Sequence, residues 1–204
     1  LIYNADDPLC ASIAARVPNV CIAFGIDGAT NTESDRISDS RFCSQCNAPL
    51  EYDYVQYGQL GAYQCPSCGW ARPALVRRVT NVELSRDGYG FDLVFGSDSS
   101  APAAHIATRY YGLYMVYNVA AAFFAAHELG VDTAHLQPTL NAYVPAGGRM
   151  GRWDIAGRTV EANLAKNPVG FDRQIQSIKT AGVRLCAFLL NDNDADGHDV
   201  SWNY

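Results

Sequence analysis

A chain of 204 residues holds enough material for one good hydrophobic core or two modest ones. Hydrophobic residues make up 49% and charged residues 18%, as in an ordinary globular protein, and the net charge of −6 argues against a surface built for nucleic acid. The longest apolar run, residues 119–126, is too short to cross a bilayer as a helix, and the sequence carries no targeting pattern.

Residues 1–4 read as a short strand. Asp7 before Pro8 supplies an N-cap and a first-turn proline for a helix reaching about Arg16. Residues 20–25 form a continuous apolar run ending in glycine, the pattern of a strand covered on both faces, so the opening predicts the edge of a βαβ layer. Residues 27–39 are polar and turn-rich, a loop.

Next come Cys43-Ser44-Gln45-Cys46 and Cys65-Pro66-Ser67-Cys68, two CxxC knuckles separated by eighteen residues. Each pair offers two thiolates from one tight turn, and two such turns brought together make the tetrahedral sulfur cage that Zn²⁺ prefers. Residues 51–56 and 57–63 read as two short strands around a Gly turn, the hairpin that carries the second knuckle back to the first. Disulfides fit worse, because CxxC cysteines are too close for an unstrained bridge. A closed Cys₄ cage has no open position for substrate, so Cys43, Cys46, Cys65 and Cys68 predict a structural zinc site. Cys10, Cys21 and Cys186 lie in apolar stretches and predict buried free thiols.

Residues 81–84 and 89–95 predict a hairpin across a turn at 86–88, followed by a loop at 96–103 and a strand at 105–110. The longest helix is expected from residue 113 or 114 to 129, stopped by Gly130, with a second from Asp132 as N-cap to Tyr143 despite Pro138. Residues 145–148 look like a domain boundary. Beyond them the pattern predicts a strand pair, 153–155 and 158–165, a helix at about 171–181 and a buried strand at 183–190. Because the chain opens inside a strand and stops just after an acidic loop, a fragment of a longer protein is expected.

Single polar residues carry weaker signals. Asn118, early in the long helix, is by itself a solvated or locally bonded residue; functionally, its amide could read a nucleotide, offering donor and acceptor together. Arg149 follows a glycine pair at the expected junction, where a planar fork would suit a phosphate. Asn167 lies between an expected strand and helix, a common ligand position in α/β sheets but also an ordinary turn. The loop bearing Asp192, Asp194, Asp196 and Asp199 departs from a calcium loop, having Asn203 where a Glu is required. An aspartate there could instead orient a catalytic His. His105, His127, His135 and His198 show no metal-binding spacing, and His127 and His135 read as helix residues.

Taken in order, Asn4-Ala5-Asp6-Asp7-Pro8, the knuckle region from Arg41 to Trp70, residues 112–122, Asn163-Leu164-Ala165-Lys166-Asn167-Pro168 and residues 190–202 resemble the MurT family of Mur-ligase-like subunits along essentially the whole chain. The resemblance implies an α/β fold. Residues 1–144 would be the later part of a Mur ligase central domain with a zinc ribbon inserted at about 41–72, and residues 145–204 part of an α/β C-terminal domain. It also implies a bacterial cytoplasmic ligase working at the inner membrane face with a GatD-type glutaminase. The pair would amidate the α-carboxyl of D-glutamate in lipid II through an acyl phosphate, using ATP, Mg²⁺ and ammonia from glutamine. Carried over by position, the four knuckle cysteines match zinc ligands; Asn118, Arg149 and Asn167 match nucleotide contacts. Asp199, with Asp196 second, matches the aspartate that completes the partner's glutaminase triad. The chain departs from the pattern in Met115, where the family usually has Asn, and in Gly151, where many Mur ligases have Glu. The phosphate-binding P-loop does not occur in it and is expected before Leu1, so this stretch alone should not catalyse. The rival classes are a folylpolyglutamate-type amide ligase, which would lack the ribbon, and a zinc-ribbon interaction module without catalysis.

Overall fold

The computed structural model describes residues 1–30, 42–85, 88–97, 101–109, 112–144, 151–165, 170, 171, 174, 175, 178, 179 and 182–189. The described residues form a mixed α/β fold that divides into two compact units, Leu1–Val144 and Pro145–Tyr204.

The first unit is built on a five-stranded sheet. Strand β1 (Ile2–Asn4) leads into helix α1 (Pro8–Ala14), and β2 (Ile22–Ile26) returns parallel to β1 with Ile2 opposite Ile22. The Asp7 side chain accepts from the Leu9 amide and Pro8 opens the first turn, so α1 starts where local chemistry directs it. Strand β5 (Arg77–Leu84) pairs parallel to β2, and β6 (Tyr89–Phe95) and β7 (Ala104–Ala107) complete the order β1-β2-β5-β6-β7 as antiparallel neighbours.

Helices α2 (Leu113–Glu128) and α3 (Thr133–Ala142) follow. Helix α2 presents Val116, Val119, Ala120, Phe123 and Phe124 at three- and four-residue spacings, all buried. Its rings meet those of the sheet: Phe124 lies 6.0 Å from Phe24 and 6.0 Å from Phe95, with Phe123 stacked on Phe95 at 6.0 Å. Phe91, Leu93, Ile106 and Val79 complete this core from the sheet side, each 0% exposed. No helix among the described residues is long and apolar enough to cross a membrane.

The chain does not run directly from β2 to its neighbour β5. Between them it makes a separate two-stranded antiparallel sheet of β3 (Glu51–Tyr57) and β4 (Leu60–Gln64), turning at Gly58 with φ of 54°. The knuckles sit before β3 and after β4, so the ribbon is an excursion out of one parallel strand pair.

In the second unit, β8 (Gly151–Ile155) and β9 (Arg158–Ala162) pair antiparallel through Ala156 and Gly157, both at positive φ. The described residues within 170–179 are helical, and Gly182 (φ 62°) donates its amide to the Lys179 carbonyl at the helix end. Two expectations fail here. Residues 183–189 form no strand and are exposed, with Leu185 at 87% and Leu189 at 91%. An apolar run becomes a buried strand only when neighbouring strands accept its hydrogen bonds and a layer covers its faces, and the described residues of this unit supply one exposed hairpin. Cys186 in that run is likewise exposed, and Cys10 and Cys21 are only half-buried. Cys10 donates to the Asp7 carboxylate at 3.3 Å, whose charge, after burial itself, pushes the thiol up to about 11.

Candidate functional site

The two knuckles are built alike. After Cys43-Ser44-Gln45-Cys46 the chain reverses at Asn47 (φ 59°), whose amide donates to the Cys43 carbonyl at 2.8 Å, and the Cys43 amide donates to the Ala48 carbonyl at 2.8 Å. After Cys65-Pro66-Ser67-Cys68 it reverses at Gly69 (φ 75°), whose amide donates to the Cys65 carbonyl at 3.0 Å, and the Cys65 amide donates to the Trp70 carbonyl at 2.7 Å. Asn and Gly are the residues that best accept the left-handed conformation this reversal needs. An isolated bridge extends each knuckle, Phe42 with Pro49 and Gln64 with Ala71. Tyr63 backs the second knuckle, its ring 5.0 Å from that of Trp70.

The β3–β4 hairpin brings the knuckles face to face. The four sulfurs all lie within 4.8 Å of one another, with Cys43 Sγ 3.6 Å from Cys68 Sγ and Cys46 Sγ 3.5 Å from Cys65 Sγ. Tetrahedral metal–thiolate bonds of about 2.3 Å imply sulfur–sulfur edges of about 3.8 Å. The spacing therefore suits one metal ion and is too long for disulfide bonds, and all four thiols are free. The thiols cannot all ionise side by side without a cation. Backbone amides led by that of Cys68 draw Cys65 down to about 7. Cys68 is pushed up to about 12, the Trp70 amide being outweighed by desolvation and the neighbouring Cys43, Cys65 and Cys46 sulfurs. A divalent ion would remove that conflict by replacing the protons.

The ribbon docks on the carboxyl ends of β1 and β2 through buried polar groups. Asp6, just past β1 and 0% exposed, takes Arg72 Nη1 on Oδ1 at 2.8 Å, and the Ile26 amide (2.9 Å) and Tyr117 hydroxyl (2.7 Å) on Oδ2. Burial raises the Asp6 carboxyl above the usual range, against the opposing pull of Tyr117, Ile26 and Arg72. Burial works against the Arg72 charge too, but the facing carboxylate outweighs it and holds the guanidinium protonated. A Cβ on Gly25 would overlap the Asp6 carboxylate, so the close approach requires glycine. Gln56, also 0% exposed, donates from Nε2 to the Gly28 carbonyl at 2.6 Å and accepts from the Thr30 amide at 3.1 Å. Tyr54 adds its hydroxyl, donating to the Ile26 carbonyl at 3.3 Å and accepting from the Gly28 amide at 3.1 Å.

Of the residues singled out in sequence for nucleotide and partner contacts, Asn118 is described. It lies exposed in the second turn of α2, its amide 3.5 Å from the Met115 sulfur, next to Tyr117, which reaches Asp6. Arg149, Asn167, Asp196 and Asp199 lie outside the described residues. Sequence reasoning assigned no role to Asp6, Arg72 or Gln56. The available signal was Asp6-Asp7-Pro8 itself: Asp7 is used up as the helix cap, which leaves Asp6 without a local task.

Comparison with known proteins follows the same outline. A family model described as MurT ligase C-terminal matches residues 164–204. The chain is 28% identical over 212 residues to "Lipid II isoglutaminyl synthase (glutamine-hydrolyzing) subunit MurT" of Staphylococcus aureus (strain COL), covering 100% of this chain and 45% of that protein. It is 31% identical over 204 residues to the subunit of the same name from Streptococcus pneumoniae (strain ATCC BAA-255 / R6), covering 99% of this chain and 44% of that protein. A solved pseudomurein peptide ligase type C from Methanothermus fervidus has a similar fold, with a TM-score of 0.71 and 27% identity over 87% of this chain and 34% of that one. The chain thus spans less than half the length of the curated relatives it matches.

Proposed function

We propose that this chain, whose whole length aligns with somewhat less than half of each of two MurT subunits, belongs to the MurT family and is part of a ligase amidating the D-glutamate α-carboxyl of lipid II in peptidoglycan synthesis. That alignment, 28% and 31% identical along essentially all of this chain, carries the reading. The ribbon inserted between two parallel strands supports it, since the four cysteines on which the sequence resemblance partly rests come together as one four-sulfur cluster.

The chemistry is that of an ATP-dependent amide ligase. A carboxylate is a poor electrophile, so its oxygen first attacks the γ-phosphorus of ATP, giving an acyl phosphate and ADP. Ammonia then attacks the carbonyl carbon, phosphate leaves with the C–O bonding pair, and the ammonium formed loses a proton to give the amide. Ammonia comes from glutamine, hydrolysed by a GatD-type glutaminase partner. In this reading residues 1–144 are the later part of the nucleotide-binding central domain and residues 145–204 part of a C-terminal domain. Asn118, exposed at the start of α2, contacts the nucleotide, joined by Arg149 and Asn167. Asp199 orients the partner's catalytic His, holding its tautomer as triad carboxylates do. Cys43, Cys46, Cys65 and Cys68 hold a structural Zn²⁺, which contributes folding energy and leaves no site for substrate. Mg²⁺ would neutralise phosphate charge during transfer; no ligand for it is assigned to the described residues.

A second reading has one observation in its favour, the likeness to a pseudomurein peptide ligase. In that case the acyl phosphate would be captured by the amine of an amino acid, and no glutaminase would be needed.

One experiment separates the two. The full-length protein is purified with its glutaminase partner and supplied with lipid II, Mg²⁺, ATP and glutamine, and the product is read by mass spectrometry. Conversion of the carboxyl to an amide, dependent on both ATP and glutamine, is expected. Product formed only with an added amino acid would favour the peptide-ligase reading, and no ATP-dependent product would sink both. In the same system Asp199→Asn is expected to abolish glutamine hydrolysis with metal content unchanged; wild-type hydrolysis would remove Asp199 from the triad.

A further inference from the structure

Helices α1 and α3 begin with an aspartate side chain bonded to a first-turn amide, from Asp7 to Leu9 and from Asp132 to Ala134. Helix α2 begins at Gly112 (φ 103°) with no side-chain cap. Its first turns are therefore held from outside, by burial of Leu113 and Val116 and by the Tyr117 hydroxyl on Asp6.

Asp6 is in turn held largely by the ribbon. Arg72, four residues beyond Cys68, supplies the positive charge on Oδ1 at 2.8 Å; it is 17% exposed and also donates to the Ile26 carbonyl at 3.2 Å. Gly61, in β4, donates its amide to the Asp6 carbonyl at 3.0 Å. From β3, Tyr57 packs edge-on against the Tyr117 ring, centroids 5.8 Å apart at 77°. The ribbon thus sets a guanidinium on the Asp6 carboxylate, an amide on the Asp6 backbone carbonyl and a ring on the tyrosine that the carboxylate anchors. A buried carboxylate stripped of its cation must protonate, turn or draw in water, and each of these disturbs the hydroxyl bonded to it.

We infer that Arg72 and Asp6 are positioning residues for nucleotide binding: through Arg72, Asp6 and Tyr117, the sulfur-held ribbon sets the place of the first turns of α2 and hence of Asn118. The inference rests on the nucleotide role proposed for Asn118. It gives the ribbon a task that a closed sulfur cage cannot perform by its own chemistry.

The test uses the full-length protein in complex with its glutaminase, measuring zinc content, equilibrium binding of Mg·ATP, and KM for ATP and for glutamine. Arg72→Met keeps the length of the side chain without its charge. It is expected to retain zinc and to weaken Mg·ATP binding about five- to tenfold, the ordinary size of a coupling between sites. KM for ATP should rise while KM for glutamine stays. Adding Asp6→Asn should restore the affinity, because a neutral amide needs no cation; a merely structural role of Arg72 would instead give losses that add. Should Arg72→Met fail to fold, Tyr117→Phe carries the test, since it keeps the ring packing and removes the hydroxyl, and it too should weaken Mg·ATP binding with zinc retained. Wild-type affinity in zinc-loaded Arg72→Met or Tyr117→Phe, or additive losses in the double variant, overturns the inference while leaving the nucleotide reading intact. A wild-type complex that fails to bind Mg·ATP removes the nucleotide reading, and the inference with it.

Discussion

The sheet core and the ribbon belong to one compact unit but are held together by different physics. In the sheet core, Phe91, Leu93, Ile106, Phe123 and Phe124 are fully buried, and the rings of Phe123 and Phe124 meet Phe95 and Phe24 of the sheet. Between Phe42 and Arg72 the buried apolar side chains are Cys43, Leu60, Tyr63 and Cys65, and two of these four belong to the four-sulfur cluster. A segment of about thirty residues cannot bury enough surface to offset its chain entropy and needs a metal, disulfides or a host surface. The ribbon draws on two of these, the sulfur cluster and the polar docking around Asp6 and Gln56. If the four sulfurs hold the proposed ion, the ribbon's stability is conditional on it and the sheet's is not.

The largest effect is expected from removing the ion that the four sulfurs would hold. Structural zinc contributes on the order of 10–16 kcal/mol in finger peptides near neutral pH. One zinc per chain is therefore expected by elemental analysis, and chelation or Cys65→Ser should open residues 42–72 to proteolysis while the sheet stays protected. Purified protein without zinc, or a ribbon that resists chelation, would end the distinction.

A smaller effect sharpens it from the other side. Phe124→Ala removes a fully buried ring that meets Phe24, Phe95 and Phe123, and should cost about 3–5 kcal/mol by denaturant unfolding with zinc content unchanged. Zinc loss in that variant would mean that ribbon and core fold as a single cooperative piece.

The smallest effect concerns an ion pair between the start of the central strand β5 and the end of α2. Arg77 Nη2 lies 2.5 Å from Glu128 Oε1, and that bond, before any other cause, draws the Glu128 carboxyl below its ordinary value. A depressed carboxyl contributes stability above its unfolded pKa and loses it as pH falls through the folded value. Glu128→Gln should accordingly flatten the acid limb of the stability curve and leave the metal-binding curve untouched. An unchanged acid limb would show the pair to be idle, as exposed ion pairs often are.

Much of this architecture was legible locally. The caps at Asp7 and Asp132, the helical spacing of Val116, Val119, Ala120, Phe123 and Phe124, and the Gly turn between the ribbon strands are signals within a few residues, and the elements form where they direct. The run at 183–189 shows where local signals stop. Its apolar residues predict burial, but burial depends on which strands and helices lie beside them, and there they are exposed.

By itself the sequence determined the four-sulfur site, because two CxxC turns carried by a hairpin of that length can hardly avoid meeting, and it determined the alternation of strands and helices through side-chain period. Only the tertiary structure decided that Asp6 would be a buried junction. Its cation comes from Arg72, 66 residues away, and its hydroxyl donor from Tyr117, 111 residues away. No local pattern records such a meeting: a buried charge finds its partners through the packing of whole layers, and the glycine at 25 that makes room for it has meaning only once those layers are together.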